Sequence, residues 1–270
     1  MSRRLTLCAD DFAQSPAISE GILELLERRR LSATSVFSLS PLWPALAGEL
    51  AQRAPDADIG LHCNLTHPFD DSARPLGHWL LYSQLRLLSR PALRATLLRQ
   101  IDAFAEHFGR LPDYLDGHQH VHALPVVRDA LLEAVALRWN GRARPYLRAP
   151  DRLGDSGDSP GKGMVLKALC AGFTGIARHR GLSTPGWFGG LYSLTAEADF
   201  PGLMRRWLQR CQDGGLIMCH PGLPAEDSSD PIGAARQQEY RYLASAAFQE
   251  DCQRNDIVLE RFAQPLRLGS

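Results

Sequence analysis

Short β-like runs alternate with longer amphipathic patterns along the whole of this 270-residue chain, and that alternation narrows the fold more than any other feature. RLTLCADDF, SATSVFSLS, ADIGLHCNLT, PDYLDGHQH, RPYLRAP and GGLIMCHPG read as strands, with DIVLERF as a final one. Between them, SPAISEGILELLERRR, PLWPALAGELAQRA and residues 89–108, 124–139 and 231–254 carry helical spacing. So do KGMVLKALCAGFTGIARHRG and TAEADFPGLMRRWLQRCQ. In the first helix Ser15 is placed to cap, Pro16 fits the first turn, and Ile18, Ile22, Leu25 and Leu26 form one stripe. Such alternation makes an α/β fold, a parallel barrel or sheet covered by helices. A single domain spanning 1–270 is expected, long enough for a sizeable core and without linker or repeat. Residues 67–88 and 151–163 interrupt the pattern: the first reads as a surface excursion, the second as a surface excursion in preference to a mobile lid.

Thirty basic and thirty acidic residues cancel, so no long-range pull toward nucleic acid or an anionic membrane is expected. Arg28–Arg30 reads as the solvated C-terminus of the first helix, where the dipole favours cations. No apolar run approaches a transmembrane length, and the N-terminal apolar stretch is too short for a signal peptide, so the chain reads as cytoplasmic. Six cysteines without a CxxC read as reduced core thiols.

In a parallel barrel or sheet all C-terminal strand ends meet on one face, and active sites sit there. Four strands of this chain end in polar residues: Asp10–Asp11, His62, Asp116 through His122, and His220. The stretch DYLDGHQHVHALP places Asp116, His118, His120 and His122 at alternate positions, hence on one side if the strand runs that far. Imidazole and carboxylate together suit a divalent metal. Adjacent Asp10 and Asp11 point in different directions, so one can face a metal and the other a water whose pKa the metal lowers. His220, held by the Pro221–Gly222 turn, is placed as a general acid or as a loop brace. Asn64 could share the face of His62. Arg148 could pair with Asp10 and keep it ionised, or touch substrate.

ADDFAQS, GLHCNLT, DGHQHVH and CHPG, in that order from residue 9 to about residue 222, resemble the YdjC-like carbohydrate deacetylase family. That family includes chitooligosaccharide deacetylases and hopanoid-associated deacetylases. The resemblance implies a distorted (β/α) barrel of mainly parallel strands with outer helices. It implies one divalent metal ion, magnesium or zinc first, with cobalt, nickel or manganese as alternatives. The implied reaction removes an N-acetyl group from an amino sugar or short N-acetylated glycan, and homodimers are common in the family. Carried over by motif, Asp11, His62 and His118 would hold the metal, Asp10 would be the base, and His220 the acid or a stabiliser. His120 and His122 would line or brace the site, with Asn64, Asp116, Arg148 and Trp187 as substrate-binding or supporting residues. Trp79, Tyr82, Trp187, Phe188 and Tyr192 are candidates to stack on sugar, and the glycines of TPGWFGGLY suggest an exposed loop. One departure stands out: the family usually has Gly where this chain has Ala13, and a positive φ there would disfavour alanine. The rivals are another metal-dependent amidohydrolase or phosphoesterase on a related barrel, and a non-catalytic carbohydrate-binding relative. An Asp pair at the end of the first strand argues against both.

Overall fold

The computed structural model describes residues 2–225 and 230–262. Strand β1 (Arg3–Phe12) is followed by α1 (Pro16–Glu27), β2 (Ala33–Val36), α2 (Trp43–Arg53) and β3 (Asp58–Cys63). Helices α3 (Leu76–Gln84) and α4 (Arg90–Phe108) precede β4 (Tyr114–Gly117), and α5 (Val127–Arg138) precedes β5 (Tyr146–Leu147). Then come α6 (Pro160–Leu169), α7 (Phe173–His179), β6 (Phe188–Gly189), α8 (Phe200–Arg210) and β7 (Gly215–Cys219). Helices α9 (Gly233–Ala244) and α10 (Ala246–Arg254) and strand β8 (Ile257–Leu259) complete the order.

The strands form one parallel sheet in the order β5-β4-β3-β2-β1-β7-β6, with β8 added beside the start of β1. Isolated parallel bridges from Tyr146 to Ser183 and from Leu153 to Phe188 draw the two edges toward each other, so the sheet curls into a distorted barrel. Cys8, Ala33, Tyr114, Tyr146, Phe188 and Leu216, each from a different strand, fill its inside, and a larger apolar layer lies between sheet and helices. Burial on both faces explains why β2, β3 and β7 are buried at every residue. Gly60 on β3 leaves the space that the Tyr114 ring occupies, and that ring stacks on Tyr146 at 4.8 Å between centroids. Ser15 and Ser89 cap α1 and α4 through their side-chain oxygens, and left-handed Gly109 ends α4.

Several expectations change. The helix expected over 231–254 breaks at Ser245, whose hydroxyl caps α10. The one expected over 162–181 breaks at left-handed Gly172 into α6 and α7. Residues 67–88 contain α3, and the second excursion gives way to α6 at Pro160. TPGWFGGLY is no exposed loop: it contains β6, and Trp187 is buried over Gly154 and Gly189, which have no Cβ to obstruct it.

Candidate active site

The site begins with an irregularity in β1. Ala9 pairs with Thr34 and Phe12 with Val36, so β1 carries one residue more than its partner between those points. The extra residue is accommodated by Asp11, whose φ of 70° is left-handed, a region that Asp tolerates better than most residues. This bulge sends the two neighbouring carboxylates to different partners. Asp10 meets Arg148, its Oδ1 and Oδ2 lying 2.5 and 2.6 Å from the two guanidinium nitrogens. Asp11 receives Arg236 on Oδ2 at 2.8 Å, and its Oδ1 faces His62 Nε2 at 3.4 Å and His118 Nδ1 at 3.2 Å.

His62 is fixed from behind. Its Nδ1 lies 2.7 Å from Asp116 Oδ1 and 3.0 Å from the Ser35 hydroxyl, which leaves Nε2 toward Asp11. A carboxylate behind a histidine sets the tautomer and raises the basicity of the free nitrogen, as in many metal sites. Burial alone would lower the His62 pKa, but Asp116, Asp10 and Asp11 push it up to about 10. Phe37 packs edge-on against both His62 and His118, which also meet each other edge-on at 5.6 Å between centroids.

Arg148 is fully buried and bridges Asp10 to Asp116, 2.5 Å from the latter. Cys8 Sγ lies 3.2 Å from the same guanidinium and 2.9 Å from the Tyr114 hydroxyl. Cys8, Asp10 and Asp116 could in principle group around a metal, but Arg148 already supplies the cation there. Burial opposes ionisation of Asp10, and Arg148, with His62 and His220 behind it, brings its pKa well below the usual carboxylate range. Asp11 is likewise held well below that range, against burial, by Arg236 and then by His118 and His62.

His220 follows β7 and places Nε2 3.9 Å from Asp10 Oδ2. On its other side Glu239 Oε1 is 3.9 Å from Nδ1, and Glu239 Oε2 accepts the His220 backbone N–H. Burial would lower the His220 pKa; Glu239, Asp10 and Asp11 together raise it. Sequence reasoning missed Glu239 and Arg236. Both lie on α9, where Arg236 is clamped between Asp11 and Asp230 and Glu239 also accepts the Tyr192 hydroxyl at 2.6 Å. Sequence spacing puts Ala235, Glu239 and Tyr242 on one helical stripe, but only the structure shows that this stripe is buried.

The alternating histidines do not share a strand face. β4 stops at Gly117, and His118–Ala123 form a 3-10 turn in which Gln119 and His120 have φ of 53° and 60°. His118 reaches Asp11, and His120 lines the cavity edge-on to Phe188. His122 is buried against Phe173 with Nε2 3.0 Å from the Arg148 carbonyl, and burial drops its pKa to about 4, so it stays neutral. Asn64 lies just past the end of β3. It folds residues 64–67, accepting the Thr66 and His67 amides and donating to the His67 carbonyl, and so sets a loop whose His67 lines the cavity. Of the expected stacking aromatics only Tyr192 lines the cavity; Trp79, Tyr82, Trp187 and Phe188 do not. Ala13 does take φ of 70°, held by its amide to Ser19 Oγ and its carbonyl from Ser40 Oγ.

Asp10, Asp11, His62, His118, His120 and His220 open on a cavity of about 980 Å³. One donor atom from each of Asp11, His62 and His118 lies within 4.8 Å of the others. Around them stand four buried carboxylates, Asp10, Asp11, Asp116 and Glu239, and two buried guanidiniums, Arg148 and Arg236. Asp11 Oδ1 is itself buried without a hydrogen bond. Two imidazoles, one carboxylate and that unpartnered oxygen fit a divalent cation.

A family model described as YdjC-like protein matches residues 4–254. The chitooligosaccharide deacetylase of Serratia marcescens is 28% identical over 231 residues, 82% of each chain. The carbohydrate deacetylase of Mus musculus is 33% identical over 147 residues, 49% of this chain and 47% of that protein, so that match spans about half of each. A solved structure from Enterococcus faecalis V583, of a protein provisionally assigned to cellobiose-phosphate cleavage, has a TM-score of 0.71 at 18% identity, over 97% of this chain and 98% of that one. At that identity the likeness concerns the fold alone.

Proposed function

The chain belongs to the YdjC-like protein family, and from that premise we propose that it is a metal-dependent hydrolase removing an N-acetyl group from an amino sugar or short N-acetylated glycan. The observation that carries the reading is the joint placement of Asp11, His62 and His118 beside an Asp10–His220 pair at one cavity mouth.

Asp11, His62 and His118 would hold the divalent ion. Bound there, it would polarise the acetyl carbonyl and acidify water. The donor set suits zinc, cobalt or nickel better than magnesium. The chain's own groups divide the proton chemistry. Asp10 is held ionised and His220 is biased toward its protonated form, and two groups whose environments push their pKa values apart are suited to act as base and acid. Asp10 takes the proton of the attacking water as the new C–O bond forms. His220 gives its proton to the amine nitrogen as the C–N bond breaks. Because Arg148 makes Asp10 a weak base, its proton is passed on, and His220, 3.9 Å away, receives it and is reset. Acetate and a free amino sugar leave.

The test is acetate release from a panel of N-acetylated mono- and disaccharides, with added divalent metal and with chelator. Chelator-sensitive release from one member supports the reading. A protein that binds metal yet releases no acetate from any member would redirect it to another amide or ester hydrolase.

A further inference from the structure

The chain's equal numbers of acidic and basic residues conceal an uneven distribution. No Asp or Glu occurs among residues 72–101 or 159–196, although the chain has 30 of them. Its only two lysines, Lys162 and Lys167, both lie on α6. The same two segments carry most of the large apolar side chains left in solvent. Leu81, Leu85 and Leu87 belong to α3 and the turn after it, with Leu87 65% exposed. Met164 and Val165 belong to α6, with Met164 71% exposed. Exposed Arg86 sits between Leu85 and Leu87.

These helices are neighbours. Leu76, at the start of α3, and Lys162, near the start of α6, line the same cavity, and at the far ends Gln84 donates to the Leu169 carbonyl. The apolar and basic side chains therefore sit on two adjoining segments whose starts border the active-site cavity and whose ends touch. A grouped set of exposed apolar side chains marks a contact surface. Within residues 72–101 and 159–196 its charge is of one sign, and exposed Asp158 lies just before α6. Two copies of the chain meeting through this face would set Arg86, Lys162 and Lys167 against the same residues of the partner, and like charges oppose such a pairing. An anionic lipid surface satisfies both features, because apolar side chains enter the headgroup–acyl boundary while lysine and arginine meet the headgroups.

We propose that the face made by α3, the turn after it and α6 docks the protein on an anionic bilayer, as a peripheral contact. No helix among the described residues is long and apolar enough to cross a membrane. The proposal holds independently of the deacetylase reading.

The test is co-sedimentation with vesicles of phosphatidylcholine alone and of phosphatidylcholine mixed equally with phosphatidylglycerol, at low and high salt. The expected result is pelleting with the mixed vesicles only, and release at high salt. A Leu87→Glu, Met164→Glu double variant should bind them about tenfold more weakly or worse. Both positions are exposed, so its melting temperature and its acetate release from a soluble substrate should match the parent. No pelleting with the mixed vesicles, or pelleting that the double variant leaves unchanged, overturns the proposal. So does a parent that dimerises in sedimentation equilibrium without binding lipid while the double variant stays monomeric, which would give the face to a second copy.

Discussion

Asp10 and Asp11 meet different partners because one residue of β1 adopts a left-handed backbone and turns the second carboxylate away from the first. Asp10 lies outside the Asp11–His62–His118 group, so Asp10→Asn should retain metal affinity in calorimetric titration while kcat falls about 10²- to 10⁴-fold. Unchanged turnover would remove Asp10 from the base role. His220 offers a second test. Its raised pKa favours the protonated acid at neutral pH, and that form is lost as pH rises through the folded pKa. Glu239 is among the groups that raise it. Glu239→Gln should therefore move the alkaline limb of the kcat/KM profile to lower pH and leave the acid limb in place. An alkaline limb that stays put would mean that His220 is not the acid. Asp10, Asp11, His62, His118 and His220, gathered at the cavity, were legible in the sequence because each lies at a strand end. Arg236 and Glu239 were not, since a charge on a helix acquires a role only when its facing partner is known.

At the scale of elements, α9 is the support for two strand ends. Arg236 and Glu239, three residues apart, hold Asp11 and His220 respectively. Arg236→Leu leaves Asp11 Oδ2 buried without its cation, and losing one partner of a buried ion pair costs about 3–5 kcal/mol. Denaturant unfolding should show that loss most fully in chelator, and added divalent metal should recover part of it by meeting the Asp11 charge. A loss of the same size with and without metal would place the role of Arg236 in packing alone. The alternating histidines show the opposite limit of reading elements from pattern. Period two implies a strand, yet β4 ends at Gly117, where any Cβ would meet His122 at 3.0 Å as the chain folds back. Local spacing cannot reveal that return, because His122 is held by Phe173 and the Arg148 carbonyl, contributed by other elements.

Across the whole molecule, a donor set of Asp11, His62 and His118 with the Asp11 Oδ1 buried without a hydrogen bond should leave the fold sensitive to divalent metal. Metal at about 100 times its Kd should add about 2.7 kcal/mol of stability, seen as a higher melting temperature that chelator reverses. No shift with zinc, cobalt, nickel or manganese would argue against the Asp11–His62–His118 assignment. The sequence by itself determined the alternation of strands and helices, the parallel sheet that follows from it, and the meeting of Asp10, Asp11, His62, His118 and His220 on one face. These depend on periodicity and chain direction, which are local properties. Only the tertiary structure decided that Arg148 joins Asp10 to Asp116, that α9 supplies Arg236 and Glu239, and that Trp187 belongs to the core. It also decided that α3 and α6 adjoin at the cavity and at the Gln84–Leu169 contact. Each of these is a contact between residues distant along the chain, so its energy exists only once the barrel has curled and its helices have packed.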